Sequence, residues 1–533
     1  MSASARPLAL AGLAVALVLG AVLRWTPPTR VADLFPRPDA LEYEEGARNL
    51  VRGEGYCLVV EGSKYAPRYP FGFSVLLAPV FRTYSDDPGT GILVVLAGAL
   101  LTIAATSALG LGCGGWGCAA GAALLVAGSP LHVSWSRAVM SDVPAAAVTT
   151  GVVLWLLSAA GRRPSSVEYG GLGMVIGLAA TIRQSNVLLL VPAALCLWMG
   201  RTAKPRLARV PALLIGAAIG FVPLLAYNVS RFGSPLGDGY HLWVPLTFFS
   251  WRYVVGPPHG GGTIRNPLFY ARVLAGLGSL YPWPVALLLL VGTAQALLRP
   301  GRPRMLAAVA VALVAVILGF HSVFFWQGER FLLPVLPPCA VLAALPLGAA
   351  SPRLVRIAAV AGAVLTVAVL LQHRDLYGTF PGIDNFEVRT LRGIDRRVEP
   401  NAAIIARTNV FFFDRFLRAH GADRIWLPVG RCEHRGRILS FGIRPYASAD
   451  APGGWIRDVV DAPFQPDPLV ASVKMLLDEG RPVYFSNLLQ SDVSYMPRVE
   501  ATLSTRFRLE PLLRVGPWEL FRVLPREPGE GDP

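Results

Sequence analysis

Asp39, Glu42 and Tyr43 stand at i, i+3 and i+4 in the stretch Asp39-Ala-Leu-Glu-Tyr43. A helix through them sets two carboxylates and a phenol on one face. Ala47 and Leu50 continue that stripe, which predicts a helix lying flat on a membrane surface with its carboxylates aimed inward. Gly53 and Gly55 end the helix. Pro67 and Pro70 then force an extended strap carrying Arg68 and Tyr69. A carboxylate held beside an arginine at the edge of a bilayer is a device for handling a charged lipid head group.

A second group lies in Ser136-Arg137-Ala-Val-Met-Ser141-Asp142-Val-Pro144. Asp142 two residues before a proline fits a helix start, as a capping acid with proline in the first turn, a structural role compatible with a chemical one. Arg183, with Gln184 and Asn186, falls between two apolar segments, as an ordinary turn also would. Arg330 follows Glu329 at the head of another apolar segment, where an arginine also snorkels. Arg68, Arg137, Arg183 and Arg330 come from four separate loops on one predicted face. Arginine grips phosphate bidentately and stays charged when partly buried, so the set points to an anionic lipid phosphate. Tyr43, Tyr69 and Tyr240 complete the substrate-binding candidates.

Other chemistries find no support in the chain. Gly256 to Thr263 is rich in Gly and Pro but no Lys-Ser/Thr follows, so it is not a phosphate-binding Walker loop. The seven histidines show no paired spacing for zinc. No G-x-S-x-G and no dinucleotide fingerprint occurs after a strand. Cys113, Cys118, Cys196 and Cys339 sit in or beside apolar runs as small hydrophobes. Cys57 and Cys432 fall on the same predicted side and are open to pairing.

The elements that must position these residues are membrane-grade. Of the 533 residues, 53% are hydrophobic and only 16% charged, which with the long apolar runs predicts a polytopic α-helical membrane protein. The runs are Pro7–Leu23, Ile92–Leu111, Trp116–Val133, Val143–Ala160, Tyr169–Ile182, Val187–Gly200, Val210–Tyr227, Tyr281–Leu298, Met305–Phe325, Phe331–Ala349 and Leu354–Leu371. They give about eleven spans at ~20 residues each. Phe71–Phe81 is too short to span and reads as an interfacial helix.

Charge fixes the orientation. With a cytoplasmic N-terminus, the short inside loops (Gly161–Arg163, Arg201–Arg209, Arg299–Arg304 and Arg353–Arg356) are all basic, while Asp39, Glu42, Asp142, Asp238 and Glu329 lie outside. The net charge of +15 therefore speaks for orientation and anionic lipid rather than a nucleic-acid partner. From His373 the composition turns soluble. Ala402–Ala406, Pro482–Ser486 and Trp518–Val523 read as strands and Val470–Glu479 as an amphipathic helix. This predicts a transmembrane catalytic domain over 1–372 with its first external loop at 24–91, a small external α/β domain over 373–524, and a disordered tail at 525–533. The Ala, Arg, Gly and Pro bias suggests a bacterial source.

On these pieces the chain resembles the polytopic GT-C-type glycosyltransferases of family 39 and relatives, which include lipid A aminoarabinose transferases and protein O-mannosyltransferases. The pieces are Asp39-Ala-x-x-Tyr43 to Gly53-x-Gly55-Tyr56; Pro67-Arg-Tyr-Pro70-Phe-Gly; Ser136-Arg137 to Asp142-Val-Pro144; Arg183 with Ser185; Asn228 to Tyr240; and Glu329-Arg-Phe-Leu-Leu-Pro334. The resemblance implies transfer of a sugar from a polyprenyl-phosphate donor to a lipid, glycan or protein acceptor at the outer face of the inner membrane, with inversion. It implies Asp39 as general base and Asp142 as a second acid. Many relatives carry Asp-Glu where this chain has Asp39-Ala40, so Glu42 stands as a further catalytic candidate, and a divalent metal is a possible cofactor. Two rivals remain at this stage: a transporter or flippase, which needs charges near the bilayer midplane, and a non-catalytic membrane scaffold.

Overall fold

The computed structural model describes residues 5–25, 39–60, 63–85, 89–159, 162, 164–199, 206–239, 249, 251, 270, 283–324, 328–348, 396–406, 425–428, 431–434, 437–440, 466–486, 496–515 and 518–526. By internal contacts the chain divides into two units. One comprises Met1–Ala32, Pro70–Ala226 and Thr247–Pro381; the other comprises Asp33–Tyr69, Tyr227–Leu246 and Gly382–Pro533.

The first unit is helical. It contains α1 (Ala5–Arg24), α3 (Gly72–Thr83), α4 (Ile92–Gly114), α5 (Trp116–Ala127), α6 (Pro130–Trp135), α7 (Asp142–Ala159), α8 (Ser166–Ile182) and α9 (Leu190–Met199), preceded by a 3-10 turn at Gln184–Leu189. It also holds most of α10 (Arg206–Phe232), then α11 (Trp283–Leu298), α12 (Arg302–Ser322), a second 3-10 turn at Glu329–Val335, and α13 (Leu336–Gly348). Helix α2 (Asp39–Val51) belongs to the second unit.

Among the described residues five helices are long and apolar enough to cross a membrane. They lie at Ile92–Gly114, Asp142–Ala159, Arg209–Phe232, Arg302–Ser322 and Glu329–Gly348. In the third only 28% of the apolar window is buried, with Ile215, Ile219 and Val222 more than half exposed. Such a stripe is the surface a lipid solvent covers. The protein is a multi-pass membrane protein. Hydroxyls inside the bundle satisfy themselves on their own helix: Thr102, Thr106 and Thr150 donate to the carbonyls of Gly98, Thr102 and Ala146 at 2.8, 2.6 and 2.7 Å. Helices α8 and α10 meet backbone to backbone. A Cβ at Gly173 would lie 2.0 Å from Leu213 O, and one at Gly216 only 1.9 Å from Gly170 O. Small residues permit this approach, which maximises dispersion where no hydrophobic effect drives association.

The count of about eleven spans is not reached by the length criterion among the described residues, and local chemistry explains part of the difference. The segment Trp116–Val133, expected as one span, is two helices. Ser129 is an N-cap whose side chain accepts from the His132 amide at 3.4 Å, and Pro130 occupies the first turn, so α6 starts anew after Gly128. The segments expected at Val187–Gly200 and Phe331–Ala349 each begin as a 3-10 turn, the second of which holds Pro334. The expected span Leu354–Leu371 lies outside the described residues, as does most of the expected tail.

Helix α1 ends in an arginine with no exposed surface. Arg24 Nη1 and Nη2 donate to Ala127 O and Val126 O at 2.8 and 3.0 Å, satisfying carbonyls left over at the end of α5. His132 Nδ1 lies 2.9 Å from Nη2, which fixes the ring as an acceptor there and puts its proton on Nε2.

In the second unit, α2 is followed by the hairpin β1 (Leu58–Val60) and β2 (Ser63–Tyr65). Further on come β3 (Ala403–Ala406), β4 (Ile425–Pro428), the hairpin β5 (Arg431–His434) and β6 (Arg437–Ser440), α14 (Pro466–Asp478), β7 (Val483–Ser486), α15 (Met496–Arg506), β8 (Arg508–Val515) and β9 (Trp518–Leu524). Five strands form a mixed sheet in the order β4-β3-β7-β9-β8, parallel at β4-β3-β7 and antiparallel at β7-β9-β8. Ile405, Val483 and Phe485 pack with Leu469 and Val473 of α14 and Val499 and Leu503 of α15. Strand β7 is buried at every position, which is why it reads as an unbroken apolar run.

Candidate active-site clusters

In the second unit the cluster is built on α2. Gly53 and Gly55 adopt φ of 77° and 83°, the left-handed backbone that stops the helix. The expected one-sided burial is not what the structure shows. Asp39, Glu42 and Tyr43 are buried, but so are Glu44 and Arg48 on the opposite face. Asn49 Nδ2 donates to Cys57 O at 2.8 Å, and Arg48 lies 3.6 Å from Glu45 and 4.0 Å from Glu44. The helix is largely buried, and Arg48 is set against two carboxylates of its own helix. Cys57 is buried and its Sγ donates to Glu54 O at 3.6 Å; the side chain of Cys432, its expected partner, lies outside the described residues.

Arg68 joins the two acids. Its Nε donates to Glu42 Oε2 at 2.8 Å, its main-chain N–H donates to Glu42 Oε1, and its Nη2 lies 3.6 Å from Asp39 Oδ1. Glu42 has no exposed surface; the Asp39 side chain is 9% exposed. Burial pushes the Glu42 carboxyl above the usual carboxylate range, and the Arg68 guanidinium and N–H offset only part of that rise. The proline strap is held by aromatic packing. Tyr43 and Tyr69 stack at 4.7 Å, Tyr56 donates its hydroxyl proton to Tyr69 O at 2.9 Å, and the Arg68 guanidinium lies over the Tyr69 ring at 5.3 Å. Gly239 presses on the strap: a Cβ there would sit 2.0 Å from Pro67 O and 2.6 Å from Arg68 Cα. Tyr240 lies outside the described residues.

In the first unit a separate cluster joins Asp142, Arg183 and Arg330. Arg183 Nη1 lies 2.9 Å from Asp142 Oδ1 and 3.5 Å from Ser141 Oγ, and the Asp142 side chain is 1% exposed. The Arg183 guanidinium lies 5.1 Å from the Phe331 ring centroid. The Arg330 guanidinium lies 5.4 Å from the same centroid and 5.2 Å from that of Trp135. Asp142 opens α7, where an acid is favoured by the helix dipole. Arg137, expected beside them, donates from Nε to Leu23 O at 2.9 Å, at the end of α1. Sequence reasoning passed over Phe331, His321 and Trp135, whose aromatic character read as ordinary membrane sequence. His321, which closes a stretch of its helix that is apolar from Met305 to Phe320, is the signal the sequence offers.

Among the described residues no group of three or more His, Cys, Asp or Glu side chains could hold a metal ion. Asp39 and Glu42 both face Arg68, so a cation at these carboxylates would have to compete with a guanidinium already there.

No protein-family model matches the chain, and no curated protein matches it. Solved structures do. ArnT from Cupriavidus metallidurans bound to undecaprenyl phosphate aligns over 98% of this chain and 98% of its own, with a TM-score of 0.62 at 17% identity. The same protein in the apo state gives 0.61 at 16%. The Archaeoglobus fulgidus oligosaccharyltransferase AglB, in complex with an inhibitory peptide and a dolichol-phosphate, aligns over 97% of this chain and 74% of its own, with a TM-score of 0.51 at 13% identity. The chain has the GT-C glycosyltransferase fold. At these identities the GT-C likeness is one of architecture, and the reaction has to be argued from the residues.

Proposed function

We propose that this chain is a membrane glycosyltransferase that moves a sugar from a polyprenyl-phosphate donor to an acceptor hydroxyl, with inversion, on the outer face of a bacterial inner membrane. The observation that carries the reading is the near-full-length GT-C likeness to a structure bound to undecaprenyl phosphate. The buried acid–arginine clusters at Asp39 and Asp142 support it. The N-terminus is cytoplasmic by the basic short loops. The domain division carries over as part of the proposal: a catalytic membrane domain over 1–372, an external domain over 373–524 and a tail beyond.

Asp39 serves as general base. Its carboxylate takes the proton of the acceptor hydroxyl as that oxygen attacks the anomeric carbon. The bond from that carbon to the phosphate oxygen breaks, and the polyprenyl phosphate leaves with the bonding pair. Glu42 and Arg68 set the position of Asp39, since one guanidinium spans both acids. The leaving phosphate gains negative charge, so fixed guanidinium groups favour the transition state over the ground state. Arg183 and Arg330 fill that role, with Arg68 and Arg137 as further phosphate ligands. Asp142 orients Arg183 and offers a second carboxylate to the donor. Tyr43, Tyr69 and Tyr240 shape the sugar pocket.

Membranes containing the chain, incubated with labelled polyprenyl-phosphate sugars, test the reading. Transfer of label to a new product, lost in Asp39→Asn at unchanged insertion, is the expected result. Full transfer by Asp39→Asn removes the base assignment; no transfer from any such donor removes the reaction.

A further inference from the structure

We infer that Phe331, backed by His321, is a positioning residue that presents Arg183 and Arg330 edge-on to one phosphate group. The inference rests on the reading of those arginines as phosphate ligands.

The ring of Phe331 is buried, and besides Phe324, edge-on at 6.4 Å, three groups meet it. His321 stacks on it at 4.2 Å and 20°. The guanidinium groups of Arg183 and Arg330 lie 5.1 and 5.4 Å from its centroid. His321 is itself held, with Nδ1 3.0 Å from Ile317 O one turn back. The protonated Nδ1 donates to that carbonyl, which fixes the ring plane. Phe331 has little room to swing away. The adjoining cavity, lined by Thr149, Asn186, Leu313, His321 and Pro334, is about 10 Å³, enough for one water.

This arrangement has a chemical meaning. A carboxylate holds an arginine by its N–H edge and consumes donors that a ligand would use, as Asp142 does at Nη1 of Arg183. An aromatic ring attracts the cation electrostatically and consumes none of them. Trp135 does the same for Arg330 from another side. Two like charges brought to one ring repel each other, and an anion shared between them relieves that repulsion. A phosphate, with several acceptor oxygens around one centre, suits two guanidinium edges better than a single-point anion does.

The test uses the full chain in detergent or nanodiscs, with undecaprenyl phosphate as the binding probe and a polyprenyl-phosphate sugar as donor. Phe331→Leu is expected to raise Kd for the probe about tenfold and to lower kcat/KM for the donor by at least as much. Phe331→Tyr and His321→Phe, which keep the stack, are expected to restore affinity. Unchanged affinity in Phe331→Leu, failure of Phe331→Tyr to rescue, or a fall in kcat alone overturns the inference. A second readout is independent of the reaction: phenylglyoxal should modify Arg183 and Arg330 faster in Phe331→Leu than in the parent, and equal rates overturn the inference. If the parent chain binds no undecaprenyl phosphate, the phosphate-ligand reading fails, and the labelling rates still decide whether Phe331 holds the arginines.

Discussion

Replacing Arg68 by alanine should destabilise the α2 region sharply, and the loss should depend on Glu42. Glu42 has no exposed surface and meets Arg68 through both oxygens; the Arg68 side chain is 14% exposed. Removing one partner of a buried pair costs roughly 3–5 kcal/mol, because the other charge is left in a dry site. The partial exposure of Arg68 argues for the low end, about 3 kcal/mol. Glu42→Gln removes the stranded charge while its amide oxygen still accepts from the residue 68 N–H. The double variant should therefore recover about 2 kcal/mol of the sum of the single losses, roughly thirtyfold in the opening equilibrium. Hydrogen exchange at the amides of residues 39–51 in the purified chain reads this directly. The pH dependence has a definite sign. Burial raises the Glu42 carboxyl, and deleting Arg68 removes the opposing influence and raises it further. A raised folded-state value favours the protonated form, so the stability that goes with it is present in acid and lost as pH rises through that value. The Arg68→Ala penalty should grow from pH 5 to pH 8. Additive single effects, or a penalty independent of pH, would refute the coupling.

Three further outcomes are expected. In Glu42→Gln the acid limb of the activity profile should flatten; in the parent chain that limb should stand above the range of an ordinary glutamate, because protonation of the raised carboxyl removes the charge that Arg68 faces. Gly239→Ala must push the Pro67–Arg68 backbone aside and should cost ~1–3 kcal/mol by exchange at residues 63–69 together with transfer activity, whereas an unchanged variant would deny that close approach. Arg24→Leu leaves the Val126 and Ala127 carbonyls buried without their donor and should cost about 1–3 kcal/mol for each, read as a lowered thermal midpoint in detergent with the Asp39 chemistry intact.

Local signals carried well into the structure, and distant ones did not. The i, i+3, i+4 spacing of Asp39, Glu42 and Tyr43 and the two glycines after Val51 are short-range facts, and α2 starts and stops where they direct. Strands β3 and β7 stood out as unbroken apolar runs, and β9 and helix α14 by the period of their apolar residues. The break between α5 and α6 was written in Ser129-Pro130, but a uniformly apolar window hides a cap. The partners of Arg68 and Arg24 are another matter. Glu42 lies 26 residues from Arg68 and His132 lies 108 from Arg24, and no periodicity links such distances. The aromatic supports of Arg183 and Arg330 were invisible for a chemical reason, since phenylalanine has the same hydropathy whether it faces lipid or a guanidinium.

Arg24 also sets a timetable for making the protein. Its acceptors Val126 and Ala127 and its neighbour His132 are translated about a hundred residues after it. Until α5 is made, the cation at the end of α1 lacks the carbonyls it meets in the folded chain and has to be held by water or lipid phosphates. Closing of that clasp is a late event of biogenesis, and a ribosome stalled before residue 126 would display a first helix still free to slide.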